Sequence, residues 1–181
     1  MLCQSLQEGV RPFLTVTSNS MFPLIRRGDE IQLAQADQNE LDLGDIIVVE
    51  DDGGFLAHRY WSSFSSDGDN YLVLRGDRLK TFDPPYSASQ FIGRVVARRR
   101  NNLILDLSHG IGRQLNTQLG RIAALTVPPP SPPSIEPTAS LVRDHQRKKQ
   151  SNRFIRRALN RVLYFTSQLL TLATDLLIRF R

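Results

Sequence analysis

The sequence predicts a mainly β, antiparallel domain, followed by a proline-rich linker and a C-terminal amphipathic helix. Three observations lead to this fold class: short β-branched segments, Gly, Asp and Asn turn signals between them, and a dense group of prolines after which the chain becomes basic. With 181 residues, of which 40% are hydrophobic and 23% charged, the chain has the composition of a globular protein. This length allows one modest domain and a tail.

Six segments of the first part of the chain are predicted to be strands. The segment 45–51 is a β-branched run suited to a buried strand, and the Asp-Asp-Gly-Gly turn after it predicts a hairpin with the next segment. Asn101 and Asn102 predict a turn inside the last segment. The predicted strands are 13–17, 30–36, 45–51, 54–61, 70–76 and 91–107, and together they indicate a coiled antiparallel sheet. A helix is predicted over residues 111–125 from the apolar positions Ile111, Leu115, Leu119, Ile122 and Ala123.

The prolines divide the chain into three parts. Six of the ten prolines lie in "VPPPSPPSIEP", residues 127–137. Proline removes a backbone donor and favours an extended, stiff spacer, so this run is predicted to be a linker. We therefore predict a β domain over residues 1–126, the linker over 127–137, and a basic tail with an amphipathic helix over 138–181.

The net charge of +5 conceals an asymmetry. Residues 138–181 carry ten Lys or Arg and two Asp, whereas the remainder of the chain is slightly acidic. Such a tail is expected to meet an anionic partner. Arginines followed by Leu and Phe in residues 153–181 predict peripheral contact with a membrane surface, and the nearly apolar run 163–178 is short for a bilayer crossing. A helix packed on the body or on a partner is the alternative, and nucleic acid is disfavoured because a leucine-rich stretch follows the basic run.

The N-terminus gives the expectation for localisation. Residues 1–16 show no secretory signal and no apolar span, so a cytoplasmic protein is predicted, with a possible place on the cytoplasmic face of the membrane. The lone Cys3 cannot form an internal disulfide and is expected to be inert in a frayed terminus.

One serine-containing block raises the question of whether the chain has a nucleophilic serine. It reads "TSNSMFPLIRRGDEI", residues 17–31, and a serine becomes a nucleophile only where a base takes its proton. The predicted β domain offers His58, His109 and Lys80 as bases and Asp83 as an orienting carboxylate. The chain shows neither a metal-ligand spacing nor a glycine-rich phosphate loop, so no metal and no cofactor are expected.

Four blocks occur in a characteristic order: "SNSMFPLIRRGDEI", "LGDIIVVED", "FLAHRYW" and "LRGDRLKTFD". Over residues 12–97 they resemble the signal peptidase superfamily, which unites type I signal peptidases with LexA-like self-cleaving proteins. The resemblance implies that Ser20, the serine before Met, is the nucleophile. It also implies that the Ser18 hydroxyl can help to stabilise the oxyanion. Backbone N–H groups usually carry that role, so the N–H of Ser20 is the donor expected first.

The remaining blocks place the chain nearest the Ser-His branch of that superfamily. His58-Arg59 matches its base position, which implies that His58 is the general base, and Asp83 has the offset of its acidic third residue. Where the branch has Asn-Asn, this chain has Arg78-Leu79. The resemblance implies a membrane-associated serine endopeptidase that hydrolyses a polypeptide substrate. The alternative is a non-catalytic peptide- or partner-binding module that retains the fold. A self-cleaving switch is disfavoured because only nineteen residues precede Ser20, and they hold no Ala-Gly pair.

Overall fold

The strands pair as one antiparallel sheet in the computed structural model, which describes residues 2–126 and 165–176. Within those residues the strand order is β1-β2-β7-β3-β4-β5-β6, and β8 pairs with β7. The elements are α1 (Leu2–Gln7), β1 (Phe13–Thr15), β2 (Glu30–Ala34), β3 (Ile46–Asp51), β4 (Gly54–Ser66), β5 (Asp69–Arg75), β6 (Tyr86–Ser87), β7 (Phe91–Arg100), β8 (Leu103–Asp106) and α2 (Gly110–Thr126). Short 3-10 turns cover Gln38–Glu40 and Ala88–Gln90, and residues 165–176 form a further helix, α3.

The prediction of a mainly β, antiparallel fold is confirmed. Each of the six predicted segments contains a strand, and the turn at Asn101 and Asn102 separates β7 from β8 with positive φ angles of 49° and 64°. Two features of the sheet were not predicted: the extension of β4 to Ser66 and the short β6. The sequence Ser62–Ser66 has no apolar run, and it is extended because the turn at Asp67 and Gly68 pairs it with β5.

Strand β3 lies at the centre of the core, as its β-branched run predicts. Both of its faces are covered: Ile46 and Val48 join one apolar cluster, and Ile47 and Val49 join another. Helix α2 closes the first cluster with Leu115 and Leu119, as the helical period predicts. Ile111 differs, because it lies in the first turn of α2 and is largely exposed. Burial of β3 on both sides makes the neighbouring β4 a rigid support for side chains near its start.

The N-terminus corrects one expectation. Residues Leu2–Gln7 form a helix instead of a frayed end, although Cys3 is free and exposed on it. The helix is held by Leu6, which is buried in the core. A Cβ at Gly93 on β7 would lie 2.8 Å from the Ala34 carbonyl oxygen and 3.4 Å from Leu6 Cδ1, so β2 requires the bare glycine, and Leu6 packs beside it.

The C-terminal part is described only as α3. The predicted linker, 127–137, and the basic stretch up to residue 164 lie outside the described residues, so the three-part division stays a prediction. Helix α3 contacts the sheet through Asp175, which pairs with Arg98 and Arg100 of β7. Neither α3 nor any other helix of the described ranges 2–126 and 165–176 is long and apolar enough to cross a bilayer.

Candidate active site around Ser20, His58 and Asp83

The Ser20 loop connects β1 to β2 and is anchored in the core on one side. Met21, Leu24 and Ile25 are buried, and the Ile25 amide donates to the Met21 carbonyl. Asn19 accepts a hydrogen bond from the Arg27 amide through its side-chain oxygen. These contacts fix the apolar half of the loop, so the half-buried Ser20 is held at the edge of the core rather than in a loose turn.

The two serines predicted for nucleophile and oxyanion roles touch each other. Ser18 Oγ and Ser20 Oγ lie 3.1 Å apart, within hydrogen-bond distance. The carbonyl oxygen of Ser20 accepts a hydrogen bond from the Arg78 amide at 2.9 Å. The loop that carries Ser20 is therefore tied directly to the segment that follows β5.

His58 and Asp83 form the pair that their positions in the family-like blocks imply. His58 lies on β4 opposite Ile47 and is buried, and its Nδ1 lies 2.6 Å from Asp83 Oδ2. The backbone of Asp83 is held by its amide, which donates to the Leu74 carbonyl. A carboxylate at Nδ1 selects the tautomer with the proton on Nδ1, and this leaves Nε2 with a lone pair.

The second ring nitrogen of His58, Nε2, lies next to Gly76. Nε2 is buried, and no hydrogen-bond partner contacts it among the described residues, so it does not accept a bond from Ser20 Oγ in this conformation. A Cβ built on Gly76 would lie 2.9 Å from His58 Nε2 and 3.0 Å from both Cβ and the carbonyl oxygen of Ser20. Ser20 and His58 thus approach the same face of Gly76, with their Cβ and Nε2 atoms less than about 6 Å apart.

A buried arginine next to His58 ties three segments together. Arg59 is fully buried, and its Nε and Nη2 donate to the two carboxylate oxygens of Asp77, each at 2.7 Å. Its Nη1 donates to Asn116 Oδ1 of α2 at 2.7 Å and to the Gly44 carbonyl. Because Arg59 and Asp77 directly follow His58 and Gly76, this network fixes the spacing between β4 and the loop after β5.

A second buried arginine supports Asp83. Arg75 stacks over Trp61 and Phe82, with its guanidinium carbon 4.7 and 5.2 Å from the two ring centres. Its Nη2 donates to the Ala123 carbonyl of α2, and burial lowers the pKa of the guanidinium. Phe82 precedes Asp83, so this stacking fixes the backbone from which the His58 partner projects.

A groove of about 310 Å³ opens beside the two serines. Most of its lining is apolar. The apolar lining residues come from β1, the Ser20 loop, β2, β3 and the start of β4: Leu14, Val16, Met21, Ile25, Ile31, Val48, Phe55, Leu56 and Ala57. Strand β1 ends the order of the described strands, and β5 pairs with β4 only from Arg59 onward. On each side of the groove there is therefore a strand edge, β1 or the start of β4, that no described strand pairs with.

The structure brings together Ser18, Ser20, His58 and Asp83, which are the four residues singled out from the sequence. The other two candidate bases, Lys80 and His109, differ from the buried His58 because both are exposed. Sequence reasoning gave no role in the site to Asn116, Gly76 or Asp77. Gly76-Asp77 was visible as a Gly-Asp pair, but nothing in the sequence of α2 marks Asn116 as a partner of Arg59.

Scans of this chain against protein-family models and against curated proteins found no match.

Proposed function

We propose that this chain is a serine endopeptidase of the signal-peptidase type, with Ser20 as nucleophile, His58 as general base and Asp83 as the residue that orients His58. The observation that carries the proposal is the His58–Asp83 pair, at 2.6 Å, beside a half-buried serine. His58 Nδ1 is engaged and Nε2 has no partner among the described residues. A base held in this tautomer, next to a hydroxyl, is the arrangement that nucleophilic acyl transfer needs.

The proposed reaction follows from these positions. Ser20 Oγ attacks the scissile carbonyl carbon while its proton passes to His58 Nε2, and Asp83 stabilises the imidazolium that forms. The oxyanion is stabilised by the Ser20 N–H and the Ser18 hydroxyl. His58 then protonates the leaving amine as the C–N bond breaks, which gives an acyl-enzyme on Ser20. A water molecule, deprotonated by His58, hydrolyses the ester and restores the serine.

The groove supports an extended polypeptide as the substrate. The Val16 amide and carbonyl bond to Asp29 and Gly28 on the β2 side. Because main-chain groups alternate in direction along an antiparallel strand, those of Thr15 point to the open side, whereas the Thr17 carbonyl already accepts a hydrogen bond from Arg27 Nε at 2.9 Å. A substrate strand would pair there, and alternate side chains would enter the apolar groove.

A non-catalytic peptide-binding module is the second candidate. It is favoured by one observation: Ser20 Oγ contacts Ser18 Oγ rather than His58 Nε2. In unliganded enzymes catalytic hydrogen bonds are often open and close only with substrate, so the same geometry is compatible with catalysis. Covalent reactivity of Ser20 separates the two candidates.

The experiment that tests the proposed function is acylation of the whole chain by a β-lactam-type or lipopeptide signal-peptidase inhibitor carrying a reporter, followed by intact mass and peptide mapping. We expect one adduct on Ser20 in the wild type and none in Ser20→Ala or His58→Ala, because one removes the nucleophile and the other the base. Ser62→Ala, at a half-buried serine of β4, is the matched control and is expected to label normally. Labelling that survives Ser20→Ala, or a folded wild type that never labels, would contradict the proposal.

Asp83→Asn tests the orienting role separately. The amide offers Nδ1 of His58 either an N–H or an oxygen, so the required tautomer is no longer selected, and we expect acylation to slow by about 100-fold to 10,000-fold. Thermal unfolding should change little, because the substitution keeps the shape of the side chain. Asp69→Asn, at an exposed acid of β5, is the control. Equal rates for the two variants would remove Asp83 from the site.

A further inference from the structure

Helix α3 buries its polar side and exposes its apolar side, which is the reverse of the usual arrangement for a surface helix. Its inward positions are hydroxyl-bearing: Ser167, Thr171 and Thr174 are only 5%, 3% and 6% exposed. The Thr171 and Thr174 hydroxyls donate to carbonyls one turn earlier, so their polar groups are satisfied within the helix. A surface helix of a water-exposed domain buries its apolar stripe instead. The burial of hydroxyls in α3 therefore leaves its leucines on the outside.

The outer side of α3 forms a leucine face, which consists of Leu169, Leu170, Leu172 and Leu176. These side chains are 65%, 43%, 58% and 53% exposed. The spacing of 169, 172 and 176 is that of one helical stripe, and Leu170 widens it. Four large exposed leucines within eight residues make a contiguous apolar patch, and such patches on a folded chain mark a contact surface.

The orientation of α3 is set by charge. Asp175 accepts from Arg98 Nη2 at 2.5 Å and from Arg100 Nη1 at 2.7 Å, and both arginines lie on β7. Arg100 also pairs with Asp29, the residue just before β2. Arg98 is buried, so turning Asp175 outward would leave a buried guanidinium without its carboxylate. The same ion pairs that attach α3 to the sheet thus keep the leucine face outward.

We infer that the leucine face of α3 is a docking surface for a bilayer that contains anionic lipids. The apolar side chains enter the boundary between headgroups and acyl chains, and a helix that lies in this plane needs no length to span it. The choice of a bilayer rests on charge complementarity: residues 138–181, to which α3 belongs, carry ten Lys or Arg against two Asp. Basic residues near an anionic surface add to the apolar term, and together these two terms support stable attachment.

Docking through the leucine face does not depend on peptidase activity, but it would determine where the Ser20 loop lies relative to the bilayer. Arg98 and Arg100 both donate to the Leu24 carbonyl, in the loop that carries Ser20. A cavity of about 360 Å³ lies between α3 and this loop, and Phe22 and Pro23 line it on the loop side. Leu172 and Leu176 of the leucine face also border it, although more than half of each side chain remains exposed. Attachment through α3 would hold the Ser20 loop close to the bilayer surface.

The test is flotation of the full chain, as Ser20→Ala so that cleavage plays no part, with vesicles of phosphatidylcholine and phosphatidylglycerol or of phosphatidylcholine alone. We expect flotation with the anionic vesicles and little with the neutral ones. Leu169→Asp should weaken binding by about tenfold or more, since it places a charge in the apolar layer. Leu43→Asp is the matched control, because Leu43 on the body is also 65% exposed, and it should float like the parent.

Three outcomes would overturn the inference. In the first, the parent protein would bind neither kind of vesicle. In the second, Leu169→Asp and Leu43→Asp would float to the same extent with anionic vesicles. In the third, light scattering without lipid would show a dimer that Leu169→Asp dissociates, and the leucine face would then be an interface between two copies of the chain. Circular dichroism and thermal unfolding of both Asp variants should match the parent, which separates loss of the docking surface from loss of the fold.

Discussion

Replacing Gly76 by alanine is expected to slow acylation of Ser20 by at least about 100-fold while the sheet remains folded. The new methyl group would lie 2.9 Å from His58 Nε2 and 3.0 Å from the carbonyl oxygen of Ser20. The first contact is closer than real Cβ atoms come and the second is tighter than nearly all of them, so the imidazole or the serine loop must move. A displacement of about 1 Å between reacting groups can cost about 100-fold in rate, and we expect at least this loss in the rate of adduct formation.

Gly54→Ala is the matched control for this experiment. Gly54 also has an ordinary negative-φ backbone, and its added methyl group would meet only the Asp51 carbonyl oxygen at an unstrained 3.5 Å. Both variants lose the same glycine flexibility in the unfolded chain, so a difference between them reports on the site. Acylation would be followed by intact mass against time, with melting temperature as the measure of folding. Normal labelling of Gly76→Ala would show that the approach of His58 and Ser20 to Gly76 is not needed for the chemistry.

Replacing Arg59 by methionine is expected to cause the largest loss of stability among the variants considered. Methionine fills much of the volume of the Arg59 aliphatic chain but leaves the Asp77 carboxylate and the Asn116 side-chain oxygen without their donor. The Gly44 carbonyl keeps only the long bond from Asn116 Nδ2, at 3.4 Å. Breaking a buried ion pair from one side costs about 3–5 kcal/mol, a large part of the stability of a small domain. Urea unfolding of the full chain, followed by tryptophan fluorescence of Trp61, measures the free energy of unfolding.

Arg99→Met provides the comparison. Arg99 also forms two hydrogen bonds with a carboxylate, that of Glu30, but both partners are about one-third exposed. Exposed pairs contribute about 0–1 kcal/mol, so this variant should unfold almost like the wild type. Similar losses for Arg59→Met and Arg99→Met would contradict the buried network described here. The double variant Arg59→Met/Asp77→Leu should recover part of the stability, because it no longer buries an unpaired carboxylate.

The fold class followed from local patterns. The β-branched run 46–49 is buried on both faces, as an uninterrupted apolar strand predicts, because side chains alternate between the two sides of a sheet. The turns at Asp52-Gly53 and Asn101-Asn102 have positive φ angles, which these residue types tolerate best. Local patterns did not reveal α1, since it is held by one buried leucine that packs over Gly93, a residue 87 positions further along the chain.

The candidate site was predicted only in part from the sequence. Ser18, Ser20, His58 and Asp83 were named from their blocks, and the structure places them together, but their catalytic roles remain a prediction. Gly76 and Asn116 were not predicted. A glycine in a Gly-Asp pair reads as a turn residue, and only the path of the Ser20 loop across it reveals the close contact. Asn116 acts on Arg59 across 57 residues, through a helix whose placement depends on core packing.

The sequence by itself determined most of the strands, the turns, the helical period of α2 and the four candidate site residues Ser18, Ser20, His58 and Asp83. These depend on residue type and on neighbours along the chain, where backbone preferences and hydrophobic period act. Only the tertiary structure decided that His58 meets Asp83, that Gly76 separates His58 from Ser20, and that α3 turns its leucines outward. The physical reason is that each depends on contacts between distant segments. Strand register, buried ion pairs such as Asp175 with Arg98, and the volume left by a missing side chain set these contacts, and local preference does not encode them.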